Sequence, residues 1–315
     1  MVLWVAAAIL VAVAAWLRPA DLPSAARATA GPFATLAAII VGSVLADRLG
    51  LFRALARLLI RDRAPRAVAA ASVLGFTAVV SGLANLDVAV VVAMPVALSA
   101  AGRHRIRAGR LALAVAVTAN AASFLLPTSN ITSLLLLGRV PLGLPAYLRD
   151  SWLAWVLVVA VTVGSLSLWL ASADGGPRGR TAGARPSARA VLDLLPMFAA
   201  ASAIRAILAA GLTLRGGLAA QFIAGSALSS VLNNLPAAAA LRPAGTTGLW
   251  AGILATAIGP GLLLTGSVAA LICRRIARDA GATLRAWQYT AAGAVLVPAQ
   301  FAAAIIGLQV TGALH

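Results

Sequence analysis

Two stretches of the sequence place hydroxyl and amide side chains where a long apolar run would otherwise continue. They are TANAASFLLPTSNITS at residues 118–133 and IGPGLLLTGS at residues 258–267. Pro127 in the first and Pro260 in the second remove a backbone N–H and so break a helix. Unwound backbone offers carbonyl oxygens to a cation, and half-helix N-termini offer N–H groups to an anion. The uncharged residues that we predict to bind a substrate or ion there are Asn120, Ser129, Asn130, Thr132, Thr265 and Ser267. The competing interpretation is helix packing through small and hydroxyl residues.

Further polar residues stand at two predicted hairpin tips, Asn85 and Asp87 at the first and Asn233 and Asn234 at the second. Asp87 is the one acidic residue well inside an apolar run, and a buried carboxylate is costly unless it is paired, hydrated or protonated. We predict that Asp87 couples the protein to protons or another cation. The alternative is a tip wet enough merely to solvate it. Arg205 is also inside such a run, where it could face a substrate, pair with Asp87 or extend to the membrane surface.

The composition excludes a soluble protein. The chain has 62% hydrophobic and 10% charged residues and a mean hydropathy of +0.97, whereas a soluble domain carries about 25% charge. We therefore predict a polytopic protein of the plasma membrane, with the lipid bilayer as its surroundings. The 25 basic residues are all arginine and lie mostly between the apolar runs. We interpret the net charge of +17 as a topology signal and expect no nucleic-acid partner.

Few residues could support metal or enzymatic chemistry. Cys273 is the single cysteine, and the two histidines, His104 and His315, stand far apart, so we expect no metal site. The chain has no lysine and therefore no phosphate-binding Walker loop. We predict no cofactor and no enzymatic activity. Energy would then come from an ion gradient or from a separate ATPase subunit.

The apolar runs and the arginines between them predict a topology. We expect hairpins at residues 67–102 and 216–243, each returning to the side on which it starts; charge alone does not decide whether the first is re-entrant or two short spans. Its second arm, residues 88–102, is short for a full span, which favours a re-entrant hairpin. With the second hairpin re-entrant, 18 arginines lie in the cytoplasm and six outside. The N-terminus is then cytoplasmic and the C-terminus extracytoplasmic. We expect residues 1–17 to be an uncleaved helix and residues 48–66 an amphipathic helix on the membrane surface.

An internal repeat divides the chain. The pattern Ser-x3-Asn-x9-Pro begins at Ser81 and again at Ser229, 148 residues later. In each half a hairpin precedes a broken helix, and the two hairpins open to opposite sides, which is typical of inverted-topology repeats in secondary transporters. We predict an all-α polytopic membrane protein of two such repeats, each with a re-entrant hairpin and a discontinuous transmembrane helix. The predicted parts are a first repeat at 1–173 with its broken helix at 111–138, a cytoplasmic linker at 174–190, and a second repeat at 191–315 with its broken helix at 246–273.

These segments resemble the ArsB-type arsenite permeases. SALSSVLNNLPAAAALRP (226–243) and IGPGLLLTGSVAALI (258–272) resemble that family's second hairpin tip and second broken helix, and LANLDVAVVVAMP (83–95) resembles its first tip. The stretch 118–133 resembles its first broken helix. The residues that match the family pattern there are Ala119, Asn120, Ser123, Pro127 and Asn130. The sequence departs from the pattern at Leu86, where the family usually has asparagine, and at residues 131–133.

The resemblance implies a member of the wider ion-transporter superfamily, which includes sodium-coupled dicarboxylate carriers and sodium/proton antiporters and whose members often form homodimers. The leading hypothesis is proton-coupled efflux of arsenite, antimonite or a similar small oxyanion. A sodium-coupled carrier of an organic anion such as citrate or a dicarboxylate is the alternative, with Arg205 as the anion's charge partner. A non-transporting membrane scaffold is a third hypothesis.

Overall fold

The structure, a computed structural model, describes residues 2–51, 54, 58, 63–172, 192, 194–207 and 211–314. These residues form thirteen α-helices, which confirms the predicted all-α class. The helices are α1 Val2–Leu17, α2 Leu22–Arg48, α3 Arg66–Leu83, α4 Leu86–His104, α5 Ala108–Ala121, α6 Ile131–Leu137, α7 Leu144–Ser172, α8 Leu194–Ile207, α9 Leu218–Leu232, α10 Asn234–Ala240, α11 Gly245–Ala257, α12 Val268–Asp279 and α13 Ala286–Val310. The predicted linker 174–190 and most of the predicted surface helix 48–66 lie outside the described residues.

Four of the described helices are long and apolar enough to cross a membrane by length and composition: α3, α4, α7 and α13. Several further helices are apolar but shorter, among them α5 and α9. A crossing helix needs about 20 residues, and α7 has 29 and α13 has 25. The protein is therefore a multi-pass membrane protein, as predicted.

Asparagine side chains begin three of the helices. Asn85 precedes α4, Asn130 precedes α6 and Asn233 precedes α10. Each side-chain oxygen accepts a hydrogen bond from the backbone N–H two residues further on, at 2.9, 3.1 and 3.5 Å respectively. This is the usual way in which asparagine satisfies an unpaired N–H at a helix start. Asn233 has φ of 83° and ψ of 151°, a conformation that residues other than glycine rarely adopt and that strains the backbone at the tip.

The first hairpin consists of α3 and α4, which pack against each other. Asp87 lies in the first turn of α4, and the helix continues through Arg103 to His104. The second arm is therefore 19 residues long, and the argument that residues 88–102 are too short for a span is wrong. The charge-free run underestimated the helix because charged residues occupy both of its end turns.

The second hairpin is shorter and its ends meet. The tip at Asn233 separates the 15-residue α9 from the seven-residue α10. The backbone N–H of Leu212 donates to the carbonyl of Ala240 at 2.6 Å, and that of Arg242 donates to the carbonyl of Leu212 at 2.9 Å. The chain that leads into α9 therefore lies beside the chain that leaves α10.

Each predicted broken helix consists of two helices that pack in different parts of the fold. α5 packs against α12, and α11 packs against α6. The second arms of the hairpins follow the same rule, because α4 packs against α12 and α10 packs against α6. The two long helices α7 and α13 pack against each other. Each contact that a helix of the first half makes with the second half therefore has an equivalent contact made by the corresponding helix of the second half with the first.

A third group of helices consists of α1, α2 and α8. α8 packs against both α1 and α2, and the group has a small core of its own formed by Ala14, Ala25, Ala203 and Ala206. The hydroxyls of Thr29 and Ser202 lie 2.6 Å apart and join α2 to α8.

Candidate functional site

The first break, residues 122–130, separates α5 from α6 and includes a short 3₁₀ turn at Pro127–Ser129. Asn130 closes the break. Its amide nitrogen donates to the hydroxyl of Ser123 at 3.0 Å, while its oxygen accepts from the backbone N–H of Thr132. Asn130 is only 1% exposed. The structure therefore places this predicted ligand in a supporting position, with both of its polar atoms bonded to protein.

Two other predicted residues, one in the first break and one in the last turn of α5, are buried with different partners. Ser129 donates from its hydroxyl to the carbonyl of Leu126 at 2.6 Å. The amide nitrogen of Asn120 donates to the carbonyl of Ala116 at 2.9 Å. The side-chain oxygen of Asn120 is buried and has no hydrogen-bond partner among the described residues. Buried acceptors are rarely left unpaired, so this oxygen is a candidate cation ligand.

The long helix α7 donates three side-chain hydrogen bonds to the first break. Tyr147, Ser151 and Trp155 are spaced by four residues and so lie on one face of the helix. The acceptors are the carbonyls of Phe124 at 3.0 Å, Leu125 at 3.0 Å and Ala122 at 2.8 Å. These bonds satisfy carbonyls that an unwound segment leaves free. The sequence analysis missed the three donors; their four-residue spacing in an apolar helix was the available signal.

The tip of the first hairpin lies against the helix that leads into the first break. The hydroxyl of Ser81 donates to the carbonyl of Ala119 at 2.6 Å. Asp87, at the start of α4, is 9% exposed, and its carboxylate has no ion pair among the described residues. In particular, the structure does not pair Asp87 with Arg205.

The tip of the second hairpin repeats this arrangement at the second break, residues 258–267. The hydroxyl of Ser229 donates to the carbonyl of Ala255 at 2.7 Å, as Ser81 does to Ala119. The amide nitrogen of Asn233 donates to the carbonyl of Thr265 at 3.1 Å. In both halves, therefore, a serine four residues before the tip asparagine holds the hairpin against the first part of the broken helix.

Three predicted residues of the second half keep polar atoms without a protein partner in the described part of the chain. Asn234 is 5% exposed and its side chain makes no hydrogen bond to a described residue. The hydroxyl of Ser267 is fully buried and unpartnered. Thr265 is exposed. These groups lie beside the tip at Asn233 and can donate hydrogen bonds to a ligand.

A hydroxyl pair joins the two broken helices. Thr256, near the end of α11, donates to the hydroxyl of Thr132 in α6 at 3.1 Å, and both side chains are buried. Thr132 was predicted as a ligand, whereas Thr256 was missed. Its place just before the Gly259–Gly261 break was the only sequence signal. The pair fixes the position of one break relative to the other.

Arg205 lies in the last turn of α8. Its Nη1 atom is buried and has no hydrogen-bond partner among the described residues. Its neighbours are basic: burial, then the charges of Arg242 and Arg205, lower the pKa of Arg139. Arg139 donates to the carbonyl of Ala239 at 2.6 Å and also to that of Leu241.

One comparison with known proteins finds a match, and it is to an ion transporter family rather than to the arsenite permeases. A family model described as "Citrate transporter", CitMHS, matches residues 1–272. The comparison with curated proteins finds no match. The resemblance to ArsB-type permeases is therefore not confirmed at the level of that family. Separately, no group of three metal-ligating residues occurs among the described residues. The chain belongs to the CitMHS family of citrate transporters.

Proposed function

We propose that this protein is a secondary transporter of citrate or a similar organic polycarboxylate, driven by a cation that moves with or against it. The observation that carries transport is the repeated docking of a hairpin tip on a helix break, through Ser81 with Ala119 and through Ser229 with Ala255. Interrupted helices that meet at a polar centre bind substrate and coupling ions in many secondary transporters. The family description supports the carboxylate substrate.

Helices of the first half contact the second half as the corresponding helices of the second half contact the first. This symmetry supports the inverted repeats at 1–173 and 191–315. The backbone hydrogen bonds between Leu212 and Arg242 support a second hairpin that returns to its starting side, because a single crossing would separate the two ends. A short α10 also suits a re-entrant arm, since seven residues span only about 10 Å. The excess of arginines in the proposed cytoplasmic loops supports a cytoplasmic N-terminus.

The roles of the site residues follow from which polar atoms are unpartnered. Asn234, Thr265 and Ser267 have groups without a partner in the described part of the chain and are the proposed hydrogen-bond donors to a carboxylate. In the first half of the chain, the carboxylate of Asp87 and the side-chain oxygen of Asn120 are the proposed cation ligands. Asn85, Asn130 and Asn233 hold the helix starts, and Ser129 and Thr132 hold the first break.

Efflux of arsenite or antimonite is the competing transport function. Uncharged amides and hydroxyls suit a neutral hydroxide, which needs no cationic partner. The same groups also bind carboxylates, so side-chain chemistry alone does not separate the two substrates. The family description favours citrate, and arsenite is the comparison substrate in the test.

The test is flux into proteoliposomes that contain the purified full chain. We expect labelled citrate to accumulate when a sodium or proton gradient is imposed, inward for a cation that moves with citrate and outward for one that moves against it. Accumulation should stop when that gradient is collapsed. Succinate and arsenite are measured in the same vesicles. Arsenite flux without citrate flux would replace the proposal with the efflux function. The absence of flux for all three substrates would favour the scaffold hypothesis.

Asp87→Asn tests the coupling role. We expect citrate exchange across the vesicle membrane to persist while accumulation no longer responds to the driving cation gradient. Asp279→Asn is the matched control, because Asp279 is exposed at the end of α12 and only pairs with Arg275 at 3.9 Å. If the Asp87 and Asp279 variants accumulate citrate equally well, Asp87 has no coupling role.

A further inference from the structure

Three arginines stand at or just beyond the C-terminal ends of three helices. Arg139 follows α6, Arg205 lies in the last turn of α8 and Arg242 follows α10. α10 packs against both α6 and α8. We call these residues the arginine triad. The sequence analysis singled out only Arg205, since the three residues are far apart along the chain.

The triad is held by specific contacts. Arg139 donates from two nitrogens to the carbonyls of Ala239 and Leu241 at the end of α10, immediately before Arg242. The side chain of Arg242 crosses Gly211, where an added Cβ would lie 2.1 Å from the Arg242 Nε. Gly211 therefore leaves the space that Arg242 occupies. Burial and the charges of Arg242 and Arg205 lower the pKa of Arg139, which fits the closeness of the three side chains.

Helix dipoles account for only part of this positive charge. Arginine is favourable at a helix C-terminus, where the dipole is equivalent to roughly half a negative charge. The ends of α6 and α8 therefore compensate roughly half of the charge of Arg139 and Arg205. These two arginines have no carboxylate partner among the described residues. Arg139 and Arg205 therefore keep a positive field that an anion can neutralise.

The position of the triad relative to the hairpin tip gives it a function. α6 begins at the first break and α10 begins at the second hairpin tip, and each has seven residues. Arg139 and Arg242 follow the C-terminal ends of these helices. The triad therefore lies about 10 Å, the length of one seven-residue helix, from the first break and the second hairpin tip. Arg139 and Arg242 are exposed and Arg205 is half-buried. An anion from solution can therefore reach the triad.

We propose that Arg139, Arg205 and Arg242 form an anion-loading site that binds a di- or tricarboxylate before it moves to the hairpin tips. The site rests on the proposed function for its ligand class. Guanidinium groups bind carboxylates through paired hydrogen bonds, and three of them match the three carboxylates of citrate. A phospholipid headgroup is the other source of anionic oxygens. A phosphodiester, however, carries one negative charge, whereas the site consists of three arginines.

The test uses Arg242→Gln in the full-length protein, because Arg242 is exposed and its loss leaves the Arg139 bonds to α10 intact. We expect the KM for citrate to rise about 10-fold, the effect of losing roughly one charged hydrogen-bond pair, with kcat unchanged. High salt reduces the difference, since it screens exposed charges. Arg215→Gln is the matched control: Arg215 is exposed on the chain just before α9 and outside the triad. Arg242→Lys, which keeps the charge, recovers part of the affinity.

Equilibrium binding separates this site from transport itself. Citrate is titrated calorimetrically into nanodiscs of phosphatidylcholine that contain the wild type, Arg242→Gln or Arg215→Gln protein. Weaker binding in the Arg242 variant alone supports the site, even if no citrate flux is seen and the proposed function fails. Flux with equal KM and equal binding in all three proteins overturns the site and leaves the proposed function standing. Nanodiscs that contain phosphatidylglycerol test the lipid alternative. If the protein retains this lipid through Arg242 while citrate binding does not depend on Arg242, the proposed anion-loading site is also overturned.

Discussion

Ser81 donates a hydrogen bond of 2.6 Å to the carbonyl of Ala119. This bond joins the first hairpin to the last turn of the helix before the first break. Ser229 makes the equivalent bond to Ala255 at 2.7 Å in the second half. Each serine stands four residues before its tip asparagine, and each alanine stands three residues before its break begins, so each hairpin meets its own broken helix at the same register. A hairpin held in this way moves together with the helix end that leads into the break.

Replacement of Ser81 by alanine should therefore destabilise the protein. The Ala119 carbonyl loses a buried donor, which costs about 1–3 kcal/mol. Ser72→Ala is the matched control on the same helix, because the Ser72 hydroxyl bonds within α3 to the carbonyl of Val68. The readout is thermal exposure of Cys273, the single cysteine, which is fully buried. It can be followed with a thiol-reactive dye. Equal unfolding temperatures for the two variants would contradict the structural role of the Ser81 bond.

The helix breaks were predictable from the sequence because their causes are local. Pro127 cannot donate an N–H to a helix, and Gly259, Pro260 and Gly261 combine that loss with the weakest helix propensities. The tip asparagines were also predictable in position, although their capping role was not. Hairpin and break lengths followed from the charge-free runs except where charged residues lie inside a helix, as Asp87 does in α4.

Contacts between distant segments were not predictable. Only the serine and the asparagine of the repeated Ser-x3-Asn-x9-Pro pattern have equivalent roles, since Pro95 lies inside α4 whereas Pro243 follows α10. The hydroxyl pair of Thr132 with Thr256 spans 124 residues, and no local pattern specifies it. The arginine triad likewise depends on how α6, α8 and α10 pack.

Trp155→Phe should reduce citrate transport. The substitution keeps an aromatic ring but removes the indole N–H that donates to the Ala122 carbonyl at 2.8 Å, so the start of the first break loses a support worth about 1 kcal/mol. We expect a several-fold lower transport rate in proteoliposomes and a lower unfolding temperature. Trp152→Phe on the same helix is the control, because Trp152 is half exposed. If both variants transport alike, the hydrogen bond from α7 does not support the break.

Gly293→Ala should disrupt the second break. A Cβ at position 293 would lie 2.0 Å from the carbonyl oxygen of Gly261, so either α13 or the Gly259–Leu262 turn must shift. Overpacking of this kind costs about 1–3 kcal/mol, and we expect transport to be lost or strongly reduced. Gly164→Ala in α7 is the control, since nothing lies within 4 Å of an added Cβ there. Full activity of Gly293→Ala would show that the close approach is not required.

The Thr132–Thr256 pair predicts energetic coupling between the two halves of the chain. Valine at either position removes one hydroxyl at nearly constant volume, and after the first loss the second removes no further shared bond. The loss of unfolding free energy in the double variant should therefore be about 0.5–1.5 kcal/mol smaller than the sum of the losses in the two single variants. Thr77→Val combined with Thr256→Val is the control cycle, because Thr77 bonds within α3 to Val73. The measurement is the unfolding free energy from denaturant titration in detergent. Additive effects in the Thr132–Thr256 cycle, as expected for the control, would mean that the hydroxyl pair does not tie the two breaks together.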